Sequence, residues 1–219
     1  MRRLMAFVVV IPLSLVGCGD TDRGSPQPTS SPGGTPSAAS ISPTWPPAPM
    51  ASPGVDFDPA LHDELMAMFR RDQAGRTGGV DNEGDEVRTH RLKQIIAEYG
   101  WPTIDLVGED GADAAWAIAQ HSDLDPEFQA AALELLTAAA RAGQASWGNV
   151  AYLDDRVAVG HGDEQTYGTQ IGCRGGRAEL ATPLTHPDRV DQLRRRAGLE
   201  PLADYLDELT RICRQEQAG

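Results

Sequence analysis

Glu164-Gln165-Thr166-Tyr167-Gly168-Thr169-Gln170-Ile171-Gly172-Cys173-Arg174-Gly175-Gly176-Arg177-Ala178-Glu179-Leu180 is the stretch in which the character of the chain changes. Before it and after it, apolar residues recur at helical spacing. Here two short runs, 164–173 and 177–183, flank Arg174-Gly175-Gly176. Two short runs around a glycine-rich turn predict a β-hairpin. Alternation along the first run sets Gln165, Tyr167 and Thr169 on one face.

The flanking segments predict helices. Asp58-Pro59 is an N-cap followed by proline at the first helical position, and Leu61, Leu65, Met68 and Phe69 then share a face. Leu92, Ile95, Ile96 and Tyr99 form a second stripe, stopped by Gly100 and Pro102. Ala112, Ala115, Trp116 and Ala119 form a third, whose small residues permit close helix approach. Asp125-Pro126 repeats the capping device before Phe128, Leu133, Leu135 and Leu136. A fifth helix runs from Trp147 toward Val159, and Gly160 and Gly162 end it. After the hairpin, 187–197 and 201–215 read as helices, the second with the stripe Leu202, Tyr205, Leu206, Leu209 and Ile212. The expected fold is mainly α: a small helical bundle with one β-hairpin before two C-terminal helices.

The N-terminus carries an address. Arg2 and Arg3 precede a short apolar run that ends in Leu15-Val16-Gly17-Cys18. A basic start, a short apolar core and small residues at a cleavage point make a secretory signal. The run is shorter than the roughly 20 apolar residues of a membrane-spanning helix. Leu15-Val16-Gly17-Cys18 resembles the lipobox of bacterial lipoproteins. The resemblance implies a diacylglyceryl group on the Cys18 thiol, cleavage before it, and an anchor on the extracytoplasmic face of the cell membrane. Residues 19–54 hold nine of the sixteen prolines among Ser, Thr, Gly and Ala. Such a composition buries too little apolar surface to offset the entropy of ordering, and reads as a disordered tether. The expected organisation is a signal peptide at 1–17, a lipidated cysteine and tether at 18–54, and one α-rich globular domain at 55–219.

Charge and cysteines narrow the class further. The chain has 19 basic and 32 acidic residues, a net charge of −13. Losing Arg2 and Arg3 with the signal makes it more negative still. That excludes a nucleic-acid partner, whose affinity comes from neutralised phosphates. It also argues against a protein surface that clings to anionic lipid. With Cys18 lipidated, Cys173 and Cys213 are left as a pair in an oxidising compartment, which predicts a disulfide. No Cys-x-x-Cys or His-Glu-x-x-His pattern points to a metal, and Asp81-Asn82-Glu83-Gly84-Asp85 lacks the register of a calcium loop. No nucleophile elbow, phosphate loop or dinucleotide fingerprint is present, so no cofactor is expected.

Three polar clusters remain as candidate sites. In Gln120-His121-Ser122-Asp123, His121 falls at a helix C-terminus, where the macrodipole favours an imidazolium. It reads either as a general acid/base oriented by Asp123, or as a side chain that satisfies the helix end. Arg156, beside Asp155, is able to hold a carboxylate or phosphate in bidentate fashion if it faces inward. Gln165, Tyr167, Thr169 and Gln170 supply amides, a phenol and a hydroxyl for a polar ligand, or for a network locking hairpin to bundle. Gly168 among them permits close approach of a ligand or another backbone.

Gly100-Trp101-Pro102, Gln120-His121-Ser122-Asp123, Leu153-Asp154-Asp155-Arg156 and Gln165-Thr166-Tyr167-Gly168-Thr169-Gln170 occur in this order. The set resembles a bacterial domain family of unknown function, over about 58–205. The resemblance implies a domain boundary and no activity. The expected function is therefore that of a membrane-anchored envelope protein binding a small ligand or a protein partner. Its polar cleft would be built from Gln120, His121, Arg156, Gln165, Tyr167 and Gln170. The alternative is a metal-free hydrolase or transferase, with His121 as general base, Asp123 orienting it, and Arg156 with Gln170 holding an anionic transition state.

Overall fold

The computed structural model describes residues 56–218. The signal peptide, the lipidation site at Cys18 and the tether expected at 18–54 lie outside the described residues. Five helices come first: α1 (Pro59–Arg76), α2 (Gly84–Tyr99), α3 (Ile104–Gln120), α4 (Pro126–Arg141) and α5 (Trp147–His161). The strands β1 (Ile171–Arg174) and β2 (Arg177–Leu180) follow, then α6 (Val190–Arg196) and α7 (Leu202–Ala218). The mainly α architecture, with a hairpin before two C-terminal helices, is the one the sequence predicts. Among the described residues, no helix is long and apolar enough to cross a membrane.

Local chemistry sets the helix ends. Asp58 accepts hydrogen bonds from the amides of Ala60 (2.9 Å) and Leu61 (3.0 Å), and Asp125 from that of Phe128 (3.1 Å). Gly100 stops α2 with φ 76°, a conformation glycine adopts without a Cβ penalty. The predicted stripes meet in one core, in which Leu65, Leu92, Ile95, Ile96, Ile118, Leu136 and Leu153 are fully or nearly fully buried. Ala115 and Ala119 are small enough to let neighbouring helices pack closely against α3.

A second, smaller apolar cluster joins Ile171, Tyr205 and Leu209 to Tyr152, Leu180, Leu202, Leu206 and Ile212. The hairpin, α6 and α7 thus form a C-terminal cap, seated on the helical body through α5. The hairpin is antiparallel, with Ile171 opposite Leu180 and Arg174 opposite Arg177. Gly175 and Gly176 both have positive φ, 57° and 73°, as a two-residue turn matched to strand twist requires.

The first strand is shorter than the sequence predicts. It starts at Ile171 instead of residue 164, because the preceding backbone is bonded elsewhere. Asp155, fully buried on α5, accepts from the amides of Thr166 (2.7 Å), Tyr167 (3.0 Å) and Thr169 (2.8 Å), and from the Thr169 hydroxyl (2.9 Å). Amides that point at one carboxylate cannot alternate across a ladder, so Gln165, Tyr167 and Thr169 do not share a strand face. Gly168, with φ 66°, sits under Leu180, Leu184 and Leu202, each within 3.2 Å of where a Cβ would stand. Apolar side chains, and not a ligand, make its close approach. Helix α6 starts at Val190 and not at 187, and α7 continues past 215.

Cys173 on β1 and Cys213 on α7 form a disulfide. The bridge is the one the sequence predicts, and it ties the hairpin to the last helix, both elements of the cap. Closing a loop of this length stabilises by about 4 kcal/mol in the chain-entropy account. The double variant Cys173→Ser, Cys213→Ser is expected to lose about that much, read as a lowered urea midpoint with a slope equal to or steeper than that of wild type, since the freed unfolded chain exposes more surface.

Candidate functional site

The site is organised by a carboxylate that the motifs did not include. Asp72 lies on the buried stripe of α1, after Leu61, Leu65 and Met68, and is 1% exposed. Its two oxygens are 2.9 and 3.0 Å from Nδ1 of His121, the C-cap residue of α3. Arg76 Nε is 3.2 Å from Asp72 and 3.0 Å from His121 Nδ1. A ring nitrogen that carries a proton cannot accept one. The carboxylate takes both donors, so the consistent assignment is Nδ1–H and Arg76 each donating to Asp72. That leaves Nε2 of His121 without a hydrogen bond among the described residues. Burial pushes the Asp72 carboxyl up, but the His121 and Arg76 contacts outweigh it and hold the group below its ordinary range.

Further charges enclose this pair. Arg76 Nη2 reaches Asp85 at 2.7 Å. Arg88, 2% exposed, donates to Asp81 at 2.9 and 2.7 Å and to Asp85 at 2.7 Å. Asp81 also accepts from the amides of Glu83 (3.0 Å) and Gly84 (3.1 Å). The Arg88 guanidinium holds its carboxyl well below the carboxylate range.

Asp123, expected to orient His121, is occupied elsewhere. Both its oxygens face Arg156, with Nε at 2.9 Å and Nη2 in closer contact. Gln129 adds a bond to it at 3.1 Å. Burial raises the Asp123 carboxyl, and the Arg156 pairing brings it below its ordinary value. The third Arg156 nitrogen donates to Gln170 Oε1 at 3.2 Å, and Gln170 Nε2 donates to Tyr152 O at 3.2 Å and to the Thr169 hydroxyl at 3.1 Å. Arg156 therefore faces inward as expected, but its charge is matched by Asp123.

The remaining candidates separate. Gln165 is fully buried and bonded through its amide to Gln170 N (2.8 Å), Gln170 O (3.1 Å) and Thr182 O (3.0 Å). Its backbone also pairs in an isolated parallel bridge with Leu184, donating to Pro183 O at 2.8 Å and accepting from Thr185 N at 2.9 Å. Tyr167 is half-buried, and its carbonyl accepts from Arg194 at 2.9 Å. Arg194 is fully buried, donates also to Glu200 O at 2.7 Å, and lies 4.8 Å from the Tyr205 ring centre. Burial pushes the Asp155 carboxyl up, against the amides and hydroxyl that favour its charge.

Gln120, His121, Thr169 and Gln170 do come together. With Gln73, Trp116, Ala117, Tyr152 and Tyr205 they line a cavity of about 20 Å³ at the seam between body and cap. Two of these residues carry a buried polar atom without a hydrogen-bond partner among the described residues: Trp116 at Nε1 and Gln120 at Oε1. Trp116 and Gln120 stand one turn apart on α3 and so face the same side. Asp123, Arg156, Gln165 and Tyr167 do not line this cavity. A wider, solvent-open groove of about 440 Å³ lies between α2 and the α3–α4 turn, lined by Glu86, Val87, His90, Lys93 and Leu124 among others. Among the described residues, no group of three or more His, Cys, Asp or Glu is arranged to hold a metal.

The fold and site define an α-rich domain with a carboxylate–imidazole pair beside a small cavity of mixed polar and aromatic lining. The chain belongs to a family of unknown function, DUF6624, whose model matches residues 59–213. That span contains the cavity and every network around it. No curated protein and no solved structure matches the chain.

The Asp72 pairing has a pH signature. Its folded value lies below the ordinary 3.8, so its contribution is full above that pH and is lost as pH falls through the folded value. Asp72→Asn leaves Arg76 and Arg88 without their shared carboxylate, and is expected to cost about 3 kcal/mol at pH 7. The difference from wild type should narrow below about pH 4 in urea unfolding.

Proposed function

We propose that this protein is exported, is held at the outer face of the cell membrane by lipid on Cys18, and binds a small polar ligand in the cavity between body and cap. The anchor rests on the sequence of residues 1–18. The binding reading rests on one observation: Gln120, His121, Thr169 and Gln170 line one cavity, and Gln120, only 3% exposed, carries a buried Oε1 without a hydrogen-bond partner among the described residues. An unmade buried hydrogen bond costs about 1–3 kcal/mol. A ligand whose donor reaches that oxygen removes that cost. An enclosed cavity suits part of a small molecule and not a protein surface, which favours a small ligand over an envelope protein as partner. The net charge of −13 speaks against nucleic acid.

A second reading, a metal-free hydrolase or transferase, is favoured by the arrangement at His121. A carboxylate on Nδ1 with Nε2 unbonded is the arrangement of a general base. In this reading Asp72 takes the orienting role first expected of Asp123. Arg156 is paired with Asp123 and so is a positioning group for Gln170, not a free anion holder.

Two experiments test the proposal. Intact-mass analysis of the mature wild-type chain is expected to show a diacylglyceryl addition at Cys18, absent in Cys18→Ser; an unmodified wild-type chain defeats the anchor. Gln120→Met keeps the side-chain shape and removes the unpaired oxygen. It is expected to raise Tm by about 2–4 °C, since roughly 1 kcal/mol is recovered. A lowered Tm would make Gln120 a structural residue and remove the support for binding.

A further inference from the structure

We infer that the groove between α2 and the α3–α4 turn binds a small organic cation, an ammonium group carried on an apolar body. This site is separate from the cavity of the proposed function and does not depend on it.

The sequence of α2 builds one wall. Glu86, Val87, His90 and Lys93 recur at helical spacing and share a face. Leu124 and Asp125, in the turn between α3 and α4, build the other wall. The walls are fixed to each other at two points. The buried hydroxyls of Thr89 and Ser122 are 2.8 Å apart. Lys93 Nζ is 2.8 Å from Asp125 Oδ2, and the other Asp125 oxygen caps α4 by accepting from the Phe128 amide. The space so bounded is about 440 Å³. Small-molecule sites run from roughly 300 to 1,000 Å³, so the volume suits a small ligand.

The groove is apolar where it meets water. Five large apolar side chains are exposed among the described residues, and two of them border this one groove: Leu124, 79% exposed, and Val87, 53% exposed. A ligand that covers both removes apolar surface from water.

Charge selects the sign of the ligand. Lys93 is matched by Asp125. Glu86 has no ion pair among the described residues, so the unmatched carboxylate sets the groove's charge. The surrounding field agrees. Residues 56–164 hold 22 acidic and 8 basic side chains, whereas 165–218 hold 8 of each. An anion entering the groove is repelled by Glu86 and by that field, and a cation is drawn by both. Glu86 and Lys93 stand about 10 Å apart along the helix axis. A cation at Glu86 therefore leaves the rest of the groove, with Val87 and Leu124, to its apolar body.

The test follows the Leu124 methyl signals by NMR in the full-length chain, purified in detergent and assigned by their loss in Leu124→Ala. Phenethylammonium is titrated beside three relatives: neutral 2-phenylethanol, anionic phenylacetate, and methylammonium, which lacks the apolar body. The expected result is a saturating shift with phenethylammonium, about threefold weaker binding of 2-phenylethanol, and no saturation with phenylacetate or methylammonium. Glu86→Gln, at an exposed position, should leave Tm unchanged and bring phenethylammonium down to the affinity of 2-phenylethanol. Phenylacetate or 2-phenylethanol binding as tightly as phenethylammonium, or undiminished phenethylammonium affinity in Glu86→Gln, overturns the selection for a cation. Methylammonium binding as tightly as phenethylammonium overturns the role of the apolar walls. No saturating shift with any probe overturns the inference outright and leaves the reading of the cavity untouched.

Discussion

The carboxylate of Asp155 holds the backbone of 166–169 by three amides and a hydroxyl, and the geometry of the cap follows from that grip. From the other side, Arg194 takes the carbonyl of Tyr167. The loop is thus held at its donors by an anion and at an acceptor by a cation, both fully buried. Its position decides where Thr169 and Gln170 stand, and those residues form the cap side of the cavity. Tyr205 completes the wall, with its hydroxyl donating to Thr169 O at 3.0 Å. A buried charge is tolerated only where hydrogen bonds surround it, and here the loop supplies them.

The same principle governs the other end of the cavity. Asp72, Arg76, Arg88, Asp81 and Asp85 form a connected set in which each charge has an opposite neighbour. Breaking such a set is costly because it strands a charge away from water, whatever the net worth of forming it. His121 is therefore a fixed element. Its Nδ1 is committed to Asp72, and only Nε2 is left to act. An imidazole held in this way is fixed in place, which is what either recognition or proton transfer would require of it.

Much of the fold was legible in the chain. The caps at Asp58 and Asp125, the stops at Gly100 and Gly162 and the Gly175-Gly176 turn are local signals, and the elements obey them. The candidate site was legible only in part. Gln120, His121, Thr169 and Gln170 were recognised as polar clusters and meet at one cavity. Asp72 was missed because it hides on an apolar stripe. A carboxylate eleven residues after Leu61, in register with Leu65 and Met68, was the available signal. Trp116 was read as a packing residue, and nothing in a sequence tells whether an indole nitrogen finds a partner. Arg194 lay in a run with Arg195 and Arg196, where one buried guanidinium looks like its exposed neighbours. The strand over 164–170 was misread because residues 166–169 bond to a side chain on another helix. That competition between a carboxylate and a ladder is invisible to local pattern.

The crosslink lies wholly within the cap. The loop closed by Cys173 and Cys213 contains the hairpin turn and α6, and none of the five helices that form the main core. Opening it restores freedom only to the unfolded cap segment. The constraint therefore falls on the cap segment of the unfolded chain, and the five helices of the body lie outside it. Tyr205, a wall of the cavity, stands on the helix that this bond staples to the hairpin.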